Sequence, residues 1–146
     1  MTKNSLDNIS NTLIDYISIE RRSEIICNNI NGSHVALVLQ HGFVKIDVSM
    51  DRIIVFYADE HDEFLKEPYR SQKEWIQSAG DFVLLLLTHT ITTDYYYDKK
   101  TNKLLYYRLW AIKGEKRRQF KKVSLTVNPF IIFRPKIIIS KVLNTI

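Results

Sequence analysis

The sequence predicts an α+β domain: an N-terminal helical segment and then two antiparallel β-meanders, which an acidic loop and a short helix join. Apolar residues recur at helical spacing near the N-terminus, several later runs alternate between apolar and polar residues, and turn-forming residues separate those runs. The chain has 146 residues, of which 45% are hydrophobic and 25% charged, which is typical of one folded domain. We therefore expect a single domain over 1–146, with the segment 58–72 as its one candidate internal seam.

The first predicted element is an amphipathic helix. Ser5 is a candidate N-cap, because its hydroxyl oxygen can accept a hydrogen bond from the first turn. The run Ile25 to Ile30 predicts that the helix continues or restarts, and Asn31-Gly32 predicts its end, since both residues tolerate positive φ. The apolar stripe of this helix consists of Leu6, Ile9, Leu13 and Ile17, with Tyr16 beside it.

A meander of three short strands is predicted next. Its alternation of apolar and polar residues defines a core face and an opposite face. The strands are His34–Leu39, Phe43–Val48 and Arg52–Tyr57. In the second strand, the core face consists of Val44, Ile46 and Val48, and the opposite face of Phe43, Lys45 and Asp47.

The segment from Ala58 to Gln72 predicts a surface loop, because it is polar, acidic at its start and contains Pro68. One helical turn is expected within it, at 63–66. Ser71 is a candidate N-cap for a short helix that follows the loop, and Gly80 predicts the end of that helix.

A second antiparallel block is predicted after Asp81. The run from Asp98 to Lys103 is rich in turn-forming residues and predicts a hairpin connection. Because proline cannot donate a hydrogen bond to a sheet, Pro135 makes Phe130–Ile139 an edge strand, a bent strand, or a strand followed by a short helix. The other strands of the block are Phe82–Thr88, Thr90–Tyr97, Leu104–Lys113 and Phe120–Val127.

Charge divides the chain into two halves. Residues 1–76 carry 8 basic and 12 acidic side chains, a net of −4, whereas residues 77–146 carry 13 basic and 4 acidic ones, a net of +9. Polarised charge of this kind steers association with a charged partner, which can be a protein or nucleic acid.

No apolar run approaches the roughly 20 residues that span a bilayer, so no membrane partner is expected. The single cysteine, Cys27, fits a reducing, cytoplasmic location, and we expect it to pack as a small hydrophobic residue near the first helix.

Strand alternation predicts a mixed aromatic and basic sheet face in the C-terminal half. Aromatic side chains together with arginine are typical of binding hot spots in protein interfaces. They are also typical of surfaces on which the bases of single-stranded nucleic acid stack. The alternative is that a helix covers this face and that its tryptophan belongs to the core. The predicted members are Tyr106, Arg108, Trp110, Phe120 and Lys122.

The acidic loop is the second candidate surface for a partner. A metal site is not expected there, because adjacent residues on a regular backbone point apart and the glycine-turned spacing of a calcium loop is absent. A solvated acidic loop is the simpler interpretation. Its candidate partner-binding residues are Asp59, Glu60, Asp62 and Glu63.

Catalytic motifs in this sequence are weak. The triplet Asp98-Lys99-Lys100, with Asp81 or Asp94 upstream, has the residue types of a metal-dependent nuclease, but it opens a hairpin turn, where catalytic groups are poorly held. Four histidines are present, and their spacing does not require any two of them to converge. They are His34, His41, His61 and His89. No catalytic residue, cofactor or metal is therefore predicted.

The leading hypothesis is a small non-catalytic protein that binds another protein. Of this class we expect a bacterial immunity protein that blocks a cognate toxin, because the sequence combines a compact size, polarised charge that speeds association and no strong catalytic motif. The first alternative is a nucleic-acid-binding module that uses the basic and aromatic face. The second alternative is a small nuclease acting through histidine or Asp-x-Lys chemistry.

Overall fold

The computed structural model describes the backbone of residues 2–21, 26–31, 34–39, 43–126, 128, 130 and 133–144. Within these residues the chain forms two helices and nine strands. In chain order they are α1 (Thr2–Arg21), β1 (Ile26–Asn31), β2 (His34–Leu39), β3 (Val44–Val48), β4 (Arg52–Tyr57), β5 (Glu60–Leu65), α2 (Gln72–Thr88), β6 (Thr90–Asp98), β7 (Leu104–Lys113), β8 (Lys116–Ser124) and β9 (Lys136–Asn144).

The chain divides into two compact units, residues 1–87 and residues 88–146. In the first unit, β1 to β5 form an antiparallel sheet in chain order. In the second unit, an antiparallel sheet has the strand order β8-β7-β6-β9. Helices and separate antiparallel sheets confirm the predicted α+β class, while the single domain over 1–146 stays a prediction.

The core of the first unit follows from two periodicities in the sequence. The apolar stripe predicted for α1 is fully buried, and α1 lies nearest to β2 and β3. The predicted core face of β3 is also buried and is paired with a buried face of β4. The buried pairs across these two strands are Val44–Tyr57, Ile46–Val55 and Val48–Ile53.

The predicted boundaries of the first helix were wrong at both ends. The helix begins at Thr2, so Ser5 lies inside it rather than at its N-cap. The segment after residue 25 is the strand β1, paired with β2, where a continued or restarted helix was expected. Ile25, Ile26 and Ile30 have spacings that occur in helices and strands alike, so local pattern did not distinguish the two.

The acidic segment is a strand where a loop was predicted. β5 pairs with β4 along its whole length, from Arg52–Leu65 to Tyr57–Glu60. The short connection Ala58–Asp59 forms the hairpin turn, and Ala58 has a positive φ of 49°. Polar and acidic residues indicate solvent contact, but they do not prevent a backbone from pairing at the edge of a sheet.

The second helix is longer than predicted. Ser71 caps it as expected: its hydroxyl oxygen accepts a hydrogen bond from the Glu74 amide at 3.2 Å. Gly80 does not end the helix, which continues through the predicted strand 82–88 to Thr88. An apolar run of this length fits a buried helix as well as a strand. Phe82 on this helix packs against Tyr57 and Phe64, with ring centroids 5.5 Å and 5.7 Å apart.

The second unit contains the predicted hairpin of β6 and β7. β8 begins at Lys116 rather than at Phe120, because Gly114, with a φ of 60°, makes a tight turn that pairs Lys113 with Lys116. β9 begins after Pro135 and pairs with β6 at the edge of the sheet. An edge strand is therefore present, but it runs from Lys136 to Asn144 rather than over Phe130–Ile139.

Gly80 allows the two helices to approach closely. A Cβ atom at this position would lie 2.3 Å from Cδ1 of the Tyr16 ring. The Tyr16 hydroxyl also donates a hydrogen bond to the Asp81 carboxylate, and this bond raises the pKa of Tyr16, because the protonated tyrosine is the form that donates.

We predict that Gly80→Ala destabilises the protein by about 1–3 kcal/mol through overpacking. In a Tyr16→Ala background the same change should stabilise it by up to about 1 kcal/mol, because alanine is the better helix former. Urea unfolding of the four variants of this double-mutant cycle measures both effects. Equal effects of Gly80→Ala in the two backgrounds would contradict a steric role for Tyr16.

We also predict that Ala58→Gly stabilises the protein, by up to about 1 kcal/mol, because glycine adopts positive φ without a Cβ clash. Asp59→Gly is the matched control in the same turn, since Asp59 has no positive φ, and it should lower stability. Thermal unfolding followed by circular dichroism compares the two variants. A loss of stability in both would show that the turn is not strained at Ala58.

Candidate functional site

The register of the second sheet places most of the predicted aromatic and basic residues on one face. Tyr106, Arg108 and Trp110 alternate along β7, and Lys122 of β8 lies directly opposite Arg108. Directly paired residues share a face, so the structure brings these side chains together. We call this surface the basic-aromatic face. Its further members are Asp94, Tyr96 and Arg117.

Phe120 does not follow the predicted alternation. Leu109 pairs with Lys121, but the next residue, Trp110, pairs with Gln119. Phe120 is therefore the extra residue of a β-bulge. Its prediction as a member of the face assumed a regular ladder, which the structure does not have at this point.

Stacked rings and cations form one half of the basic-aromatic face. The rings of Tyr96 and Tyr106 are stacked, with centroids 4.4 Å apart and an angle of 16° between their planes. Cζ of Arg108 lies 5.3 Å and 5.4 Å from the two centroids, and Nζ of Lys122 lies 4.7 Å from that of Tyr106. Such contacts contribute about 0.5–1 kcal/mol at exposed sites and more when they are desolvated. They favour positions of both cations over the rings.

An ion pair between a buried aspartate and a partly exposed arginine forms the other half of the face. The Asp94 side chain is buried, and Nη2 of Arg117 donates a hydrogen bond to its Oδ2. The Ser140 hydroxyl of β9 donates to Oδ1 of the same carboxylate at 2.6 Å. The Arg117 guanidinium also lies over the Trp110 ring, with Cζ 3.9 Å from its centroid. One carboxylate thus fixes an arginine that in turn covers a tryptophan.

Exposure varies strongly across the basic-aromatic face. Tyr106 is only 9% exposed, and this burial raises its pKa. Arg108 and Trp110 are half-buried, while Lys122 is exposed. Among the described residues, neither Nε of Arg108 nor Nε1 of Trp110 has a hydrogen-bond partner, although both atoms are buried. The sequence left two expectations open, an exposed surface or a face covered as part of the core. The exposure of these side chains lies between the two.

The acidic candidates do not form one patch. Successive residues of β5 alternate between two faces, so Glu60 and Asp62 lie on the more buried side, and Glu63 lies on the exposed side. The Tyr57 hydroxyl donates to Asp62 at 2.5 Å, and Arg52 pairs with Glu63 at 3.8 Å. These carboxylates already have partners within the sheet, so they are weaker candidates for a shared partner-binding surface.

Two of the candidate histidines have neighbouring groups that the structure identifies. His61 packs against Phe56, with ring centroids 5.9 Å apart, and Nδ1 of His89 lies 2.9 Å from the Thr88 hydroxyl. In the part of the chain that the structure describes, no group of three or more His, Cys, Asp or Glu side chains is placed to hold a metal ion. His41 lies outside the described residues, as do the side chains of His34 and Cys27.

Asp98, the candidate nuclease aspartate, organises the β6–β7 turn. Its buried carboxylate accepts hydrogen bonds from the Lys100 amide at 3.0 Å and the Thr101 hydroxyl at 3.1 Å. Nη1 of Arg134 donates to the same carboxylate at 2.7 Å. The Lys100 amide is the main cause of a pKa below the ordinary value of Asp98, and Arg134 adds to it. Asp94 is similarly engaged by Arg117, so neither aspartate is arranged as an open metal ligand.

Comparisons with known proteins give no relative: no protein-family model, curated protein or solved structure matches the chain. Among the described residues, no helix is both long enough and apolar enough to cross a membrane. The site must therefore be interpreted from its own geometry.

Sequence reasoning misses Asp94, Tyr96 and Arg117 as members of the face. The signal that locates Tyr96 and Asp94 is the β6–β7 register, because they pair with Tyr106 and Arg108. Arg117 carries no such local signal, since it meets Asp94 from a strand two positions away in the sheet.

We predict that Asp98→Asn lowers the free energy of unfolding at neutral pH. Because folding lowers the pKa of Asp98, its charge stabilises the protein above the ordinary value of 3.8, and this contribution is lost as the pH falls through the lower folded-state pKa. The difference in unfolding free energy between wild type and Asp98→Asn should therefore decrease as the pH falls below 3.8. Urea unfolding at several pH values measures this difference. Asp59→Asn, in an exposed turn, serves as the control. A difference that does not change with pH would contradict the assignment.

Proposed function

We propose that this chain binds another protein through its basic-aromatic face without acting on it chemically. Of that class, we propose a bacterial immunity protein that blocks a cognate toxin in the cytoplasm. The observation that carries the proposal is the set of cations held in place on this face, by the tyrosine stack and by the Asp94–Arg117 pair.

Fixed cations suit recognition of a folded protein. Ordering a flexible arginine or lysine during binding costs about 0.5–1.5 kcal/mol per side chain. The contacts of Arg108, Arg117 and Lys122 with aromatic rings reduce that cost before a partner arrives. Aromatic residues and arginine at the centre of a surface are also the composition of protein hot spots.

The charge of the second unit indicates the kind of partner. Residues 88–146 carry 13 basic and 3 acidic side chains, a net of +10. Charge of this size accelerates association with an acidic surface, and rapid capture is what neutralisation of a toxin requires. We therefore propose a toxin domain with an acidic face as the partner.

Two contacts favour a protein partner over single-stranded nucleic acid. Nucleic-acid platforms need aromatic faces that bases can stack on. Here Tyr106 is nearly buried in its stack with Tyr96, and Arg117 lies over the Trp110 ring. The nuclease alternative is disfavoured because Asp98 and Asp94 are both bonded to arginines.

The proposal is tested by sequencing the genes that flank the native gene and co-expressing this chain with any toxin-like protein that they encode. We predict protection of the host cell, and about tenfold weaker binding for Lys122→Glu, because this exposed cation then repels an acidic partner. Lys103→Glu, an exposed residue in the β6–β7 turn, is the matched control for net charge and should retain binding.

Absence of both protection and a stoichiometric protein complex would overturn the proposal. Binding to single-stranded oligonucleotides that falls steeply with salt, and that Lys122→Glu weakens, would favour the nucleic-acid alternative instead.

A further inference from the structure

β9 is an edge strand with an unusually apolar composition for that position. It runs from Lys136 to Asn144, and no described strand other than β6 pairs with it. Every second residue of an edge strand directs its N–H and C=O groups away from its neighbour, where another strand can bind them. Within the described residues, this edge therefore offers backbone groups without a strand partner from Lys136 to Val142.

Apolar side chains are exposed along the same strand. Ile138 is 55% exposed and Ile139 is 54% exposed, and the large apolar residues beside them are similarly accessible. Exposed edges of folded proteins are normally protected by charge. Among the other described edge strands, β5 and β8 follow that rule with acidic and basic residues respectively, while β1 carries no charged residue. The exposed apolar residues of β9 are Ile137, Ile138, Ile139 and Val142.

Charge indicates what binds this edge. Lys136 and Lys141 belong to the strand, and Arg134 precedes it, within a unit of net charge +10. A second copy of the chain would bring the same positive charge to the edge, which opposes self-association. A partner strand with acidic residues would instead be attracted.

We propose that β9 binds an extended segment of the partner protein by antiparallel strand addition. The segment carries acidic residues opposite Lys136 and Lys141 and apolar residues opposite Ile137, Ile138, Ile139 and Val142. Backbone hydrogen bonds supply affinity in this mode of recognition, and the alternating side chains supply specificity.

The added strand would extend the basic-aromatic face. Ile138, Ser140 and Val142 pair with Tyr96, Asp94 and Thr92 of β6, so they lie on that face. Ser140 also donates a hydrogen bond to Asp94, which connects β9 to the Asp94–Arg117 ion pair of that face. The inference rests on the proposed function only in taking the partner to be a protein.

A synthetic peptide tests the edge directly. The probe has the sequence Val-Glu-Thr-Val-Ile-Val-Glu, which places its glutamates opposite Lys141 and Lys136 in antiparallel pairing. We expect it to bind the full chain and to slow amide hydrogen exchange within β9. A control peptide with both glutamates replaced by lysine should bind at least about tenfold more weakly. Slowed exchange elsewhere, or equal binding of the two peptides, would overturn the proposal.

Variants of the protein complete the test. Ile138→Lys should weaken binding of the acidic peptide by at least about tenfold, because a lysine on an edge strand disfavours pairing. Leu65→Lys changes an exposed apolar residue on the edge strand β5 and should leave binding unchanged. Circular dichroism checks that both variants fold. Unchanged peptide binding by a folded Ile138→Lys would overturn the proposal, and so would a concentration-dependent dimer that Ile138→Lys abolishes.

Failure of this inference is distinguishable from failure of the proposed function. If the acidic peptide protects β9 but the chain protects no cell from a toxin, strand addition stands and the immunity role is lost. If protection from the toxin is as strong with Ile138→Lys as with the wild type, the immunity role stands and strand addition is overturned.

Discussion

The buried Asp94 carboxylate is the constraint on which the second sheet depends. A buried carboxylate is strongly destabilising unless hydrogen bonds and an opposite charge compensate it. Here the compensation comes from Arg117 of β8 and Ser140 of β9, while Asp94 itself lies on β6. The Arg117 guanidinium then contacts Trp110 of β7. A single charge therefore links side chains from all strands of the sheet and fixes the position of one of its cations.

The hydrogen bonds of Asp94 connect the basic-aromatic face to the edge strand β9. Cations that contact rings and Asp94 present a positive surface, and this surface is the basis of the proposed acidic protein partner. Ser140 extends the same network to β9, where exposed isoleucines take the place of the charges that protect β5 and β8. A partner that reached both the face and the edge would bury apolar area and pair charges in one contact.

Local sequence predicted the elements whose pattern had one interpretation. The alternation of Val44, Ile46 and Val48 gave the core face of β3, and the turn at 98–103 gave the β6–β7 hairpin. The run 82–88 was predicted as a strand because a short apolar segment fits a strand or a helix. In the structure it is helical, and Phe82 packs against Tyr57 and Phe64. β5 was not predicted because its acidic residues are typical of a loop. Its strand conformation depends on pairing with β4, which the composition of the segment does not reveal.

The sequence by itself determined that Tyr106, Arg108 and Trp110 share a face, because side chains alternate along any β-strand. It also determined the positive charge of the second unit. Only the tertiary structure decided which aromatic rings are covered and which cations are fixed. Those outcomes depend on the register between strands and on the bulge at Phe120, which together bring Arg117 to Asp94 and Trp110. Pairing across a sheet is set by the whole set of neighbouring strands, so no single segment of the chain contains it.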